Sequence, residues 1–201
     1  MRFARLFYED EYEWGVVEEK YVRIIDAAPW EDWRYSGAQV RTARAKFHPA
    51  STGQLICVHE DGTSSRKSAS RVLLPSDALP CPPAGIHCLC GLAAVLGENG
   101  AVFGYTLANG FAVGPYVTDT LSDADTLTIT VEEEVRRTDA VSMLRGRLTQ
   151  AVAQMAGDCV LSPGDVVALC MPAGMLLPAS MLSVETPAIG ALRATVVQRG
   201  K

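Results

Sequence analysis

The segment Ile86-His87-Cys88-Leu89-Cys90-Gly91-Leu92-Ala93-Ala94-Val95-Leu96 is apolar almost without interruption, and Val102-Phe103-Gly104-Tyr105-Thr106-Leu107-Ala108 repeats the pattern a few residues later. Each reads as a strand of continuous apolar character, with glycine breaks at Gly110 and Gly114-Pro115. Outward from this pair the chain keeps the same habit. Leu55-Ile56-Cys57-Val58 is a short buried strand, and residues 1–26 alternate as a small antiparallel meander running from Arg2 to Ile25. Downstream, Leu127-Thr128-Ile129-Thr130-Val131 alternates with its threonines on one face. Val166 to Cys170 is entered through the turn Ser162-Pro163-Gly164-Asp165, and residues 184–197 give two more short strands. Only Val141, Leu144, Leu148, Val152 and Met155 recur at helical spacing, with Gly157 as the expected stop. Pro29 to Trp33 predicts a short helical or 3-10 turn. The polar run 59–71 predicts a loop, and the prolines at 75, 80, 82 and 83 exclude a helix or central strand there. The expectation is a mainly β (α+β) chain, barrel-like or sandwich-like, with one principal helix.

Composition narrows the class. At 201 residues, 48% hydrophobic and 20% charged, the chain is long enough to bury a full core without staples, and disorder, collagen and coiled coil are excluded. A net charge of −5 argues against a nucleic-acid groove or an anionic membrane surface. No apolar run is long enough to span a bilayer, and MRFARLFYEDEYEW lacks the apolar core of a signal peptide. The expected setting is the cytoplasm, with six reduced thiols filling core space. His87-Cys88-x-Cys90 invites a zinc reading, but adjacent strand residues cannot all face one ion and no second Cys/His pair follows at finger spacing.

Several short motifs, taken in order, resemble the fumarylacetoacetate hydrolase family. They are Lys67-Ser68-Ala69-Ser70, Gly91-Leu92-Ala93-Ala94-Val95-Leu96-Gly97, Gly104-Tyr105-Thr106-Leu107-Ala108-Asn109, Gly114-Pro115-Tyr116-Val117-Thr118-Asp119, Ser162-Pro163-Gly164-Asp165-Val166 with Pro172-Ala173-Gly174, and Ile189-Gly190-Ala191-Leu192. The resemblance implies a fumarylacetoacetate-hydrolase-like mixed β-barrel or roll over residues 51–201, preceded by a small N-terminal β lobe over residues 1–50, and a possible homodimer. It also implies a divalent metal held by two glutamates on one strand and an aspartate on another, oxygen ligands that suit Mg²⁺ or a similar cation. Here those positions align with Leu89, Gly91 and Gly110, and a threonine position aligns with Met171. No metal and no cofactor is therefore expected. The stretch His59-Glu60-Asp61-Gly62 replaces a longer family segment, and the residues between Gly110 and Gly114 are fewer, so the short chain is read as one that has lost cleft loops.

Strand alternation then puts His87, Leu89 and Gly91 on one face of the cleft and turns Cys88 and Cys90 away. Tyr105 or Thr106, and Asn109, are expected from the neighbouring strand, and Cys170 and Met171 from a third side, around a roomy, apolar pocket. His87, Tyr105 and Asn109 are the candidate catalytic residues. An imidazole serves as acid or base near neutrality, and a phenol or amide polarises a carbonyl. Each has a plain packing alternative. Leu89, Gly91, Thr106, Gly110, Cys170, Met171 and Lys67 are the candidate substrate-binding residues. His59-Glu60-Asp61 reads as a proton relay or simply as a turn, and Glu132-Glu133-Glu134 as solvated surface.

Three functions compete. The first is a metal-independent enzyme that folds an apolar, polyketide-type substrate for cyclisation, cycloaddition, rearrangement or isomerisation, where holding reacting ends together removes several kcal/mol of barrier, about 7–11 at best. The second is hydrolysis, decarboxylation or tautomerisation of a small dioxo acid, and the third a non-catalytic scaffold.

Overall fold

A computed structural model describes residues 1–198. The chain is mostly β. The N-terminal strands are β1 (Arg2–Tyr8), β2 (Glu11–Val17), β3 (Tyr21–Ile25), β4 (Tyr35–Arg41) and β5 (Lys46–His48). The middle holds β6 (Leu55–His59), β7 (Ser64–Lys67), β8 (Leu79–Cys81), β9 (Ile86–Leu96), β10 (Val102–Asn109) and β11 (Tyr116–Thr118). Then come β12 (Thr126–Val131), β13 (Glu134–Ala140), the helix α1 (Val141–Asp158), β14 (Val166–Leu176), β15 (Met181–Thr186) and β16 (Gly190–Gln198).

Two sheets result. The larger runs β4-β3-β2-β1-β11-β10-β9-β14-β6-β7, with β5 added beside β1. The smaller runs β13-β12-β15-β16-β8. The two long apolar segments, β9 and β10, form the centre of the large sheet: β9 lies between β10 and β14, antiparallel to both. That position explains its unbroken apolar character, because both faces are covered. Cys88, Cys90, Leu92, Ala94 and Leu96 face the helix and the small sheet, while Leu89, Ala93 and Val95 face Leu55, Val166 and the aromatic side chains of the N-terminal strands.

The expected N-terminal meander forms β1 to β3, and its β1 joins the large sheet by pairing Phe3 with Val117 of β11. The helix buries Val141, Leu144, Leu148, Ala151, Val152 and Met155, each large aliphatic group contributing roughly 2 kcal/mol. It runs past Gly157 to Asp158, so the glycine does not stop it. Pro29 to Trp33 forms turns and bends instead of a helical turn. Residues 64–67 are a strand, not loop. The turn that permits it has Gly62 at φ +82°, and Asp61 Oδ1 accepts from Thr63 N at 2.9 Å and Thr63 Oγ1 at 2.6 Å. An exposed edge strand needs no apolar alternation, which is why the sequence concealed it.

Asp165, the acid of the Pro-Gly-Asp turn, is buried and structural. Its Oδ1 accepts from Gln54 N at 2.7 Å and its Oδ2 from Ser162 N at 2.9 Å. The carboxylate thereby ties the entrances of the parallel pair β6 and β14 together.

Candidate functional site

The face of the large sheet that carries Leu89 also carries Cys57 on β6, Cys170 on β14 and Ala108 on β10. On β7, Lys67 stands opposite Leu55 and Ser65 opposite Cys57, so both share that face. Lys67 then reaches back to the far end of β10: its Nζ donates to the Gly110 carbonyl and sits 4.2 Å from the Phe111 ring centre. Three strands separate β7 from β10, a span of about 19 Å if the sheet were flat. A lysine cannot bridge that distance, so the sheet curls into a roll and Lys67 closes its seam. The bridge between Leu73 and Ala112 closes the same seam through the backbone.

The turn beneath the ammonium is held from within by Asn109. Its Oδ1 accepts from Phe111 N at 3.0 Å and Ala112 N at 2.7 Å, and Gly110 N donates to the Leu89 carbonyl at 2.7 Å. Asn109 is 1% exposed and its Nδ2 has no hydrogen-bond partner. Cys57 and Cys170 are neighbouring buried thiols; their interaction, and next the Lys67 charge, hold Cys57 below the usual thiol range, while the same interaction and burial push Cys170 up. On the other face Cys88 and Cys90 are a second pair of buried thiols, with Cys90 raised by its interaction with Cys88 and by burial. His59, on the face of Cys57, has Nε2 3.3 Å from Ser65 Oγ.

The candidate residues divide between two faces. Leu89 and Gly91 fall on one face as alternation requires, and Thr106 joins them through its place opposite Ala93, though its Oγ1 is spent on the Gly114 carbonyl at 3.4 Å. His87 shares this face but is exposed at the start of β9. Tyr105 pairs with Ala94 and Asn109 with Cys90, which turns both toward the helix side, away from His87. The expected trio of His87, Tyr105 and Asn109 is therefore not one constellation. Cys170 lines the Leu89 face, whereas Met171, one residue on, packs into the opposite core. The expected enlargement at Gly91 is also corrected. A Cβ there would lie 2.3 Å from the Leu169 carbonyl oxygen and 3.0 Å from Met171 Cε, so β14 has closed onto the glycine.

This bears on the cation that the resemblance implies. Leu89, Gly91 and Gly110 offer no side-chain oxygen, a glutamate at 91 has no room, and the Gly110 carbonyl is engaged by Lys67. Among the described residues no three His, Cys, Asp or Glu side chains are grouped as a metal site. The residues present do not fit a divalent ion.

Cys57, Ser65 and Phe111 did not emerge from the sequence reading. Ser65, and with it the face that Cys57 shares, was hidden because residues 59–71 looked like loop; read as a hairpin, Cys57, His59, Ser65 and Lys67 alternate onto one face. No helix among the described residues is long and apolar enough to cross a membrane.

Comparison with known proteins agrees with the fold. A family profile described as Rv2993c-like, N-terminal, matches residues 1–49. No curated protein matches the sequence. Among solved structures, 2-hydroxyhepta-2,4-diene-1,7-dioate isomerase from Mycobacterium marinum superposes with a TM-score of 0.86 at 20% identity, covering 100% of both chains. Fumarylacetoacetate hydrolase from the psychrophile Exiguobacterium antarcticum gives 0.75 at 18% identity, over 99% of this chain and 100% of that one. Maleylpyruvate hydrolase from Sphingobium sp. SYK-6, solved with manganese(II) and pyruvate, gives 0.75 at 19% identity over 100% of both. At these identities the likeness is one of fold, and the expected fumarylacetoacetate-hydrolase-like roll, with its single helix, is the fold of this chain.

Proposed function

We propose that the protein is an isomerase-type enzyme that rearranges or cyclises a largely apolar, carbonyl-bearing molecule of polyketide type, without a divalent cation at positions 89, 91 and 110. The observation that carries the reading is the exchange of charge at the seam: side chains without oxygen stand at all three positions, and the Lys67 ammonium rests on the Gly110 carbonyl. In this reading Lys67 directs a free N–H at the substrate carbonyl and stabilises the negative charge that develops on its oxygen as an enol forms. Leu89, Cys170 and Phe111 supply apolar contact that orients the carbon skeleton. Cys57, the more acidic thiol of its pair and under the Lys67 charge, is the group on this face that holds or releases the proton.

A second reading is tautomerisation or hydrolysis of a small dioxo acid, favoured by the isomerase and hydrolase activities of the structural neighbours. One ammonium at the seam suits one carbonyl better than the two carboxylates of a dioate. The test is turnover of acylpyruvates and oxaloacetate by protein stripped with chelator, with and without Mg²⁺ or Mn²⁺, beside a panel of neutral 1,3-dicarbonyl compounds followed by enol absorbance. Metal-independent enolisation of the neutral compounds, lost in Lys67→Gln, is expected. Turnover of the dioxo acids that depends on added metal would reject the proposal.

A further inference from the structure

We infer that the groove between the N-terminal strands and Tyr116 is a binding site for a small organic anion with a planar apolar body. It is a cavity of about 660 Å³ lined by Lys20, Tyr21, Arg41, Thr42, Phe47 and Tyr116. That volume is in the range of small-molecule sites. Phe47 and Tyr116 form its apolar wall, with ring centres 5.1 Å apart at 63°, and the Arg2 guanidinium, 5.0 Å over the Tyr116 ring, braces the far side.

Charge is segregated here. The protein carries a net −5, yet Lys20 and Arg41 line this cavity with Phe47 and Lys46 lines its neighbour, and none of the three has an ion-pair partner among the described residues. Glu19 is the acid on this lining, so the two lining cations leave a positive surplus. The Thr42 hydroxyl beside them is shut off from solvent and has no hydrogen bond. The backbone that presents it is fixed, since Thr42 N donates to the Lys20 carbonyl at 3.0 Å and Ala45 N to the Thr42 carbonyl at 3.3 Å. A second cavity of about 510 Å³ shares Phe47 and Tyr116 and adds the cations Lys46 and Arg193, so the positive lining continues along the groove. Aromatic walls select a flat body, and paired cations select a carboxylate or similar anion. None of these residues belongs to the Lys67 seam.

The test titrates the full chain with 2-naphthoate and with the neutral isostere 2-naphthalenemethanol, by calorimetry and by ligand-detected NMR. Naphthoate is expected to bind at least about tenfold more tightly than the alcohol, and to weaken in about 0.5 M NaCl as screening rises. The exposed double variant Lys20→Ser/Arg41→Ser should lose at least about tenfold of naphthoate affinity at unchanged melting temperature. Lys67→Gln should leave it unchanged, which separates this site from the seam. Equal binding of both probes, undiminished binding by the double variant, loss of binding in Lys67→Gln alone, or no binding up to about 5 mM would overturn the inference.

Discussion

Gly91→Ala tests the closure of the site in the simplest way, because it adds one methyl where the resemblance places a carboxylate. The new Cβ would stand 2.3 Å from the Leu169 carbonyl oxygen, more than about 1 Å inside ordinary contact. Strand β9 cannot step aside, since it is laddered to β10 on one edge and to β14 on the other. Overpacking of this kind costs about 1–3 kcal/mol, and a stretched ladder bond adds about 1. Against that, alanine restricts the unfolded chain and returns about 0.4–1 kcal/mol. The net loss of about 1–3.6 kcal/mol corresponds, at roughly 2–4 °C per kcal/mol for a chain this long, to a melting temperature lower by about 2–14 °C. Gly146→Ala is the matched control: it lies exposed within α1 with nothing near its Cβ, and should gain about 1 kcal/mol. Thermal and urea unfolding followed by circular dichroism compare the two. If Gly91→Ala melts at or above the wild type while Gly146→Ala behaves as expected, β14 has not closed onto this position and the account of the site is wrong.

Other outcomes follow from the same structure. Asp165→Ala strands two backbone N–H groups that its carboxylate now satisfies, so urea unfolding should show a loss of about 3 kcal/mol or more; a loss under about 1 would mean those donors find other partners. Lys67→Gln removes the ammonium from the Gly110 carbonyl and should cost about 1 kcal/mol of stability, with faster hydrogen exchange at the Asn109–Ala112 turn; unchanged exchange would mean that Lys67 does not close the seam. Burial, and next the Arg5 charge, hold His48 below the usual imidazole range. Between its lowered folded value and its unfolded value near 6.5 the unfolded chain binds more protons. The stability from its neutral form is therefore complete above about pH 6.5 and falls as pH drops toward the folded value. The melting temperature of wild type relative to His48→Phe should decline over that window, and a difference independent of pH would refute the assignment.

Much of the fold was legible because burial writes itself into residue type. Strand β9 is covered on both faces and so reads as one apolar run, and α1 declares itself through Val141, Leu144, Leu148, Val152 and Met155. Strands β7 and β13 were not legible as strands. Both lie at sheet edges with mostly exposed side chains, and their pairing is set by tight turns such as the one at Gly62. The site was half legible. Alternation correctly separated Leu89 and Gly91 from Cys88 and Cys90, but it could not say on which face β10 would present Tyr105 and Asn109, because that depends on cross-strand register. Nor could it foresee that the void expected at Gly91 would be closed by the facing backbone. Lys67 stood out in the sequence only as a loop residue; its place at the seam comes from the curl of the whole sheet.

The most direct test of the central claim is a titration of the chelator-treated protein with Mn²⁺, read by electron paramagnetic resonance of the free ion and by calorimetry. Because the side chains of Leu89, Gly91 and Gly110 offer no oxygen donors and the Lys67 ammonium occupies the Gly110 carbonyl, no site with a Kd below about 1 mM is expected, in wild type and in Lys67→Gln alike. Stoichiometric binding of Mn²⁺ to the wild type, with a Kd of tens of micromolar or below, would contradict it.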